Sequence, residues 1–168
     1  MRIIGIDPGY AIVGFGIIEY DNGRFKTVDY GAVTTRSGTD FNRRLEIIYA
    51  DICQILDAYK PESLAIEKLY FQNNQKTAID VAEARGVILL AAIQRNILIR
   101  EYTPLEVKKS ITGYGQAVKK QVQEMTKRIL HLPAIPKPDD TADALAIAIC
   151  HAHTDNSLLA GYGKSEFN

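Results

Sequence analysis

Met1-Arg2-Ile3-Ile4-Gly5-Ile6-Asp7-Pro8-Gly9-Tyr10 is the stretch from which the rest of the fold can be read. Ile3, Ile4 and Ile6 form a short β-branched run, the pattern of a strand buried on both faces. The run stops at Asp7, and Pro8-Gly9 supplies a tight turn. A carboxylate at that point is either the first residue of the turn, where Asp is favoured, or a group that a rigid central strand aims into a crevice. Two further acidic stretches, Ala65-Ile66-Glu67 and Asp140-Thr141-Ala142-Asp143, favour the second reading.

Outward from that strand, Ile12 to Tyr20 is rich in β-branched and aromatic residues, with Gly14 and Gly16 interleaved. Asn22-Gly23 is a two-residue hairpin signal, and Arg24 to Thr35 continues in strand-forming residues. The first 35 positions therefore read as three antiparallel strands. Leu45, Ile48, Ile52, Ile55, Leu56 and Tyr59 recur at helical spacing and define one buried face. Lys60-Pro61 ends that helix. Ser63 to Glu67 repeats the design of the first strand, a short apolar run closed by a carboxylate. A second long helix is predicted from about Gln75 to Gln94, and its Val87–Ile93 half is apolar all round, which asks for deep burial or cover by another subunit.

Ile97 to Tyr102 reads as a fifth strand. Thr103-Pro104-Leu105-Glu106 carries a capping box with Pro at the first helical position. After the break at Gly113-Tyr114-Gly115 a helix is predicted from about Val118 to Leu130. The proline-rich loop from His131 to Pro138 follows, and Asp139 or Asp140 caps a last helix reaching about His153. Residues 154–168 are read as a loose polar tail behind a single domain spanning 1–153. The order implies an α/β fold, a mixed five-stranded sheet with helices on both faces.

The bulk numbers exclude several classes. With 168 residues, 46% hydrophobic and 24% charged, the chain can bury a core without staples. Cys53 and Cys150, the two cysteines, lie in apolar helical patterns and read as core thiols rather than a disulfide. No apolar run is long enough to cross a membrane, and Asp7 interrupts any signal-peptide core, so a cytoplasmic location is expected. His131, His151 and His153 lack the spacing of a zinc site. Net charge is zero, but residues 100–128 hold seven basic residues against three acidic ones, a local excess of +4 that can attract phosphate.

Asp7 and Glu67 each end a strand, and consecutive β-α-β units commonly set such strands side by side. Asp140 and Asp143 are three apart at a helix start and share a face. Were the four to converge, each close pair at about 4 Å would repel by roughly 4 kcal/mol, so divalent cations would be needed to hold them ionised. Oxygen ligands favour Mg²⁺ or Mn²⁺ over zinc. Two such ions about 3.5–4 Å apart suit phosphodiester hydrolysis, one activating water and one stabilising the leaving oxygen.

Taken together, Gly5-Ile6-Asp7-Pro8-Gly9, Ala65-Ile66-Glu67, Ala84-Arg85-Gly86 and Asp140-Thr141-Ala142-Asp143-Ala144-Leu145-Ala146-Ile147-Ala148 resemble the RuvC-type Holliday-junction resolvases. The resemblance covers Ile3 to about His153. It implies a ribonuclease-H-like fold, a homodimer, paired nicks in opposing strands of a four-way DNA junction, and two Mg²⁺ ions held by Asp7, Glu67, Asp140 and Asp143. It assigns phosphate contacts to Lys108 or Lys109 and to Lys119 or Lys120. It also implies base stacking by Tyr70, with Phe71 beside it, and work alongside a junction-binding tetramer and a hexameric branch-migration motor. Asp139 stands next to Asp140 as an extra carboxylate. The rival classes are a nucleotide-binding protein of the actin and sugar-kinase type, whose first phosphate loop also follows Gly-Ile-Asp-x-Gly, and a non-catalytic nucleic-acid-binding module. The first needs an internal duplication that is not visible, and the second does not need four carboxylates.

Overall fold

The computed structural model describes residues 1–69 and 75–162, excluding the side chains of 75, 76 and 156–162. Its elements are β1 (Arg2–Asp7), β2 (Ile12–Asp21), β3 (Arg24–Thr34), α1 (Phe41–Tyr59), β4 (Ser63–Glu67), α2 (Gln75–Ile93), β5 (Leu98–Tyr102), α3 (Pro104–Thr112), α4 (Lys119–Ile129) and α5 (Asp139–Tyr162). The five strands form one sheet in the order β3-β2-β1-β4-β5. β1 is antiparallel to β2 and β2 to β3, whereas β4 runs parallel to both β1 and β5. The mixed sheet expected from the sequence is the sheet observed.

Local chemistry sets most boundaries. Asn22 and Gly23 take positive φ in the β2–β3 hairpin, as an Asn-Gly turn requires. Asp40 caps α1 by accepting from the Arg43 amide, and Lys60 closes it in the left-handed region just before Pro61. The Thr103–Glu106 capping box starts α3, with Pro104 at its first turn. One boundary differs from expectation: the last helix, expected to reach about His153, runs to Tyr162. Thr154 donates its hydroxyl to the Cys150 carbonyl one turn back, and no glycine or proline interrupts the pattern until Gly161.

The sheet separates two cores. On one side Ile4, Ile6, Val13, Ile17, Leu64 and Ile66 meet Ile48, Ile52 and Leu56 of α1 and Ala84, Ile88 and Ala91 of α2. On the other, Ile3, Ile18 and Ala65 meet α5 and, through it, α3 and α4. Side chains alternate along a strand, so Ile3, Gly5 and Asp7 face α5 while Ile4 and Ile6 face away. The same alternation in β4 turns Ser63, Ala65 and Glu67 toward α5. Cys53 and Cys150 are free thiols, and among the described residues no helix is long and apolar enough to cross a membrane.

Candidate active site

Asp7 and Glu67 are brought together by strand register. β1 pairs with β4 through Ile6 and Ile66, and each carboxylate is the next residue, on the same face. Their side chains lie close enough for each to shift the other's titration. The two remaining carboxylates arrive on α5, which lies unusually close to the sheet. A Cβ on Gly5 would stand 2.0 Å from the Ala144 carbonyl oxygen, and one on Gly14 would stand 2.0 Å from that of Asp140. Only glycine leaves room for the helix backbone there. The α5 face is correspondingly small, with Ala142, Ala144, Ala146 and Ala148 buried. Thr141, fully buried, ties the helix start to the sheet by donating to the Gly31 carbonyl at 3.1 Å.

Electrostatics record the convergence. Burial, reinforced by the charges of Glu67, Asp143 and Asp140, pushes Asp7 up to about 8. Burial also raises Glu67, with Asp143 adding to it, against the opposing pull of Asp7's hydrogen bond, Lys119 and Lys108. Asp143 is raised by burial despite an ion pair with Lys119 at 2.8 Å. For Lys119, burial works to lower the pKa, but Asp143, Asp139 and Asp7 outweigh it and leave it raised. Among the described residues no three acidic, imidazole or thiol side chains already form a cation cage. In this arrangement the Lys119 ammonium, ion-paired with Asp143, supplies positive charge beside the carboxylates.

A cleft opens beside the cluster, lined by Glu67, Lys108, Lys119 and Asp143 over an apolar floor that includes Val107 and Val122. Of the two lysine pairs, Lys108 of α3 and Lys119 of α4 are the members that line it. Lys109 and Lys120 are exposed outside that lining. The orientation follows from helix packing, since Val107 and Ile111 fix the rotation of α3, and Val122 and Thr126 that of α4. Tyr70 and Phe71 lie outside the described residues. His151 is buried between Tyr102 and Ser63, and His153 bonds Ser110, so both are packing groups.

Two residues named in the sequence reading had no role at the site assigned to them. Arg85 of α2 donates to the Glu67 carbonyl at 3.3 Å and is ion-paired with Glu101, so it fixes the end of β4 from behind. Asp139 lies 3.7 Å from the Lys119 ammonium. Neither is visible in periodicity, because both act on partners brought close by folding; the Ala84-Arg85-Gly86 triplet was the sole available signal for the first.

The sheet order, the covering α5 helix and the acidic crevice define an enzyme of the ribonuclease-H-like class. Comparison with known proteins narrows this. A family model described as "Crossover junction endodeoxyribonuclease RuvC" matches residues 3–151. The chain is 54% identical over 160 residues to the crossover junction endodeoxyribonuclease RuvC of Caldicellulosiruptor saccharolyticus, covering 95% of this chain and 96% of that one. It is 57% identical over 165 residues to that of Fusobacterium nucleatum, covering 98% and 86%. The structure of T. thermophilus RuvC in complex with Holliday junction substrate superposes with a TM-score of 0.88 at 32% identity, covering 94% and 96%. The chain belongs to the RuvC family of crossover junction endodeoxyribonucleases.

Proposed function

We propose that this protein resolves four-way DNA junctions by paired, symmetric nicks, in recombination and repair, with Asp7, Glu67, Asp140 and Asp143 as its metal-binding catalytic carboxylates. One observation supports the reading: Asp7 and Glu67, at the ends of paired strands, lie within electrostatic reach of Asp143 on α5, with Asp140 also acting on Asp7, and Glu67 and Asp143 line a cleft with Lys108 and Lys119. Structural stability gives no reason to build such a cluster, because burial and the neighbouring carboxylates push Asp7 up to about 8.

The donor set fits a hard divalent cation, since it is all oxygen and short of positive charge. Asp7, Glu67, Asp140 and Asp143 would hold two Mg²⁺ ions, with Mn²⁺ able to replace them. When bound, these supply an activated water and stabilise the leaving oxygen. The protein's own groups do the rest. β1 and β4 hold Asp7 and Glu67 at fixed spacing, and α5 fixes Asp140 and Asp143 against them. Lys108 and Lys119 attract and position the scissile phosphate, with Lys109 and Lys120 on the outer approach. Tyr70, with Phe71, stacks on bases opened at the junction centre.

Two symmetric nicks need two sites, and one chain holds one carboxylate set, so the working form is a two-fold homodimer. α2 supports this: Ile79, Leu90 and Ile93 are 66%, 47% and 61% exposed. They lie at helical spacing on one stripe that also holds Gly86, above which a Cβ would meet nothing. A second copy of the helix can approach closely there. Cytoplasmic location and cooperation with a junction-binding tetramer and a hexameric motor complete the proposal. The test is incubation of the protein with a synthetic four-way junction, with and without Mg²⁺, beside an ATP-hydrolysis assay. Metal-dependent cleavage in two opposing strands without ATP turnover is the expected result; nucleotide turnover without cleavage refutes it.

A further inference from the structure

Asp139 is not needed for the acidic centre, yet it sits at a meeting of two helix faces. On α5, Asp139 and Asp143 are four residues apart and share a face; on α4, so do Lys119 and Gln123. The two faces oppose each other. The Lys119 ammonium lies 2.8 Å from Asp143 and 3.7 Å from Asp139. Asp139 is anchored from outside by an ion pair with Lys137. From α4, the side chain of Gln123 bears on Asp139. Gln123 is 7% exposed, and its Nε2 is buried without a hydrogen bond of normal geometry. A donor buried in this way favours retaining an anionic partner at Asp139.

Building on the metal-centre reading above, we infer that Asp139 is a positioning residue, a second station to which Lys119 transfers when a divalent cation takes the Asp143 carboxylate. The argument is one of competition. The ammonium holds the Oδ2 oxygen of Asp143, so a divalent cation that takes that oxygen displaces Lys119. A free lysine would swing into solvent and lose its place, because its stem has many rotamers. Asp139, less than 1 Å farther from the ammonium than Asp143, accepts it with a small movement and no loss of charge pairing. Lys119 therefore stays on the cleft wall, ready for phosphate, while Asp143 is freed. Asp140 makes no ion pair with Lys119 among the described contacts and takes no part in this exchange.

The experiment is a calorimetric Mg²⁺ titration of the full chain as wild type, Asp139→Asn, Lys119→Ala and the double variant, with thermal unfolding as a check on the fold. Asp139→Asn should weaken Mg²⁺ binding about fivefold or more, because Lys119 then has no alternative to Asp143. The same substitution made in the Lys119→Ala protein should change binding by less than about twofold, since no lysine remains to be accommodated. Asp139→Glu, which keeps the charge, should restore most of the affinity. Equal weakening in both backgrounds would show that Asp139 acts only through its field and would overturn the transfer, as would no change in either. A wild-type protein that takes up no Mg²⁺ would bring down the metal-centre reading and this inference together, whereas normal wild-type uptake with an unaltered Asp139→Asn protein would bring down this inference alone.

Discussion

The two faces of the sheet are packed by opposite means. Toward α1 and α2 the contact is made by large side chains, with Ile4, Ile6, Ile17, Leu64 and Ile66 against Ile48, Ile52, Leu56 and Ile88, all essentially fully buried. Toward α5 the contact is made in part by their absence: glycines at positions 5, 14 and 16 meet the helix backbone and the Leu145 side chain directly. Interdigitated side chains can relax around a lost methyl group, but two backbones in contact have nothing to move aside. The carboxylates sit on the second face. The difference teaches that the site is held by the packing with least slack, while the other face supplies bulk stability.

The comparison breaks most completely at the carboxylates themselves. Glu67→Gln should keep the fold and junction binding and abolish cutting, since an amide cannot replace an anionic ligand, and Asp143→Asn should do the same. Cleavage near the wild-type rate by either variant on a synthetic junction would remove that residue from the site. Next in size is Gly14→Ala. The added methyl would stand 2.0 Å from the Asp140 carbonyl oxygen, so α5 must withdraw, carrying Asp140 and Asp143 with it. A shift of about 1 Å is enough for a rate loss on the order of 100-fold, read from single-turnover cleavage. Little loss would mean that the close face has more give than its geometry implies.

On the opposite face, Ile52→Ala should cost about 2–5 kcal/mol of stability yet leave cleavage per folded molecule nearly unchanged at low temperature. Denaturant unfolding and cleavage measured on the same preparation decide this; a rate loss as large as that of Gly14→Ala would erase the distinction between the faces. The smallest effect is electrostatic and belongs to the metal-free protein. Asp7 is raised from 3.8 to about 8, so between those pH values the folded chain keeps a proton that the unfolded chain releases. The stabilising contribution is therefore full below about pH 4 and is lost as pH rises through about 8. Asp7→Asn should flatten that decline and raise the melting temperature at pH 8 in the presence of a chelator. Parallel melting curves from pH 5 to 9 for the two proteins would show that the repulsion is relieved elsewhere.

Much of this was legible in the chain because it is local. The alternation in Ile3-Ile4-Gly5-Ile6-Asp7, the Asn22-Gly23 turn, the Thr103–Glu106 capping box and the Asp-rich start of α5 each act within a few residues, and local physics fixed them. Periodicity also exposed the surplus apolar half of α2. The C-terminal end of α5 was missed because the chain from Thr154 on reads as a polar tail, whereas a preceding buried helix propagates cheaply into it.

By itself the sequence determined the order of strands and helices and most of their bounds, which four carboxylates stand at or near element ends, and that two of them share a helix face. Only the tertiary structure decided how these meet. Gly5, Gly14 and Gly16 looked like ordinary strand glycines until α5 was laid against them. Lys108 and Lys119 were separated from Lys109 and Lys120 by the rotation that Val107, Ile111 and Val122 impose on α3 and α4. Arg85 found the Glu67 carbonyl 18 residues away, and Lys119 found both Asp143 and Asp139. Each of these contacts depends on the distance between elements rather than on spacing along the chain, and that distance is set by the volume of the side chains that fill, or decline to fill, the space between them.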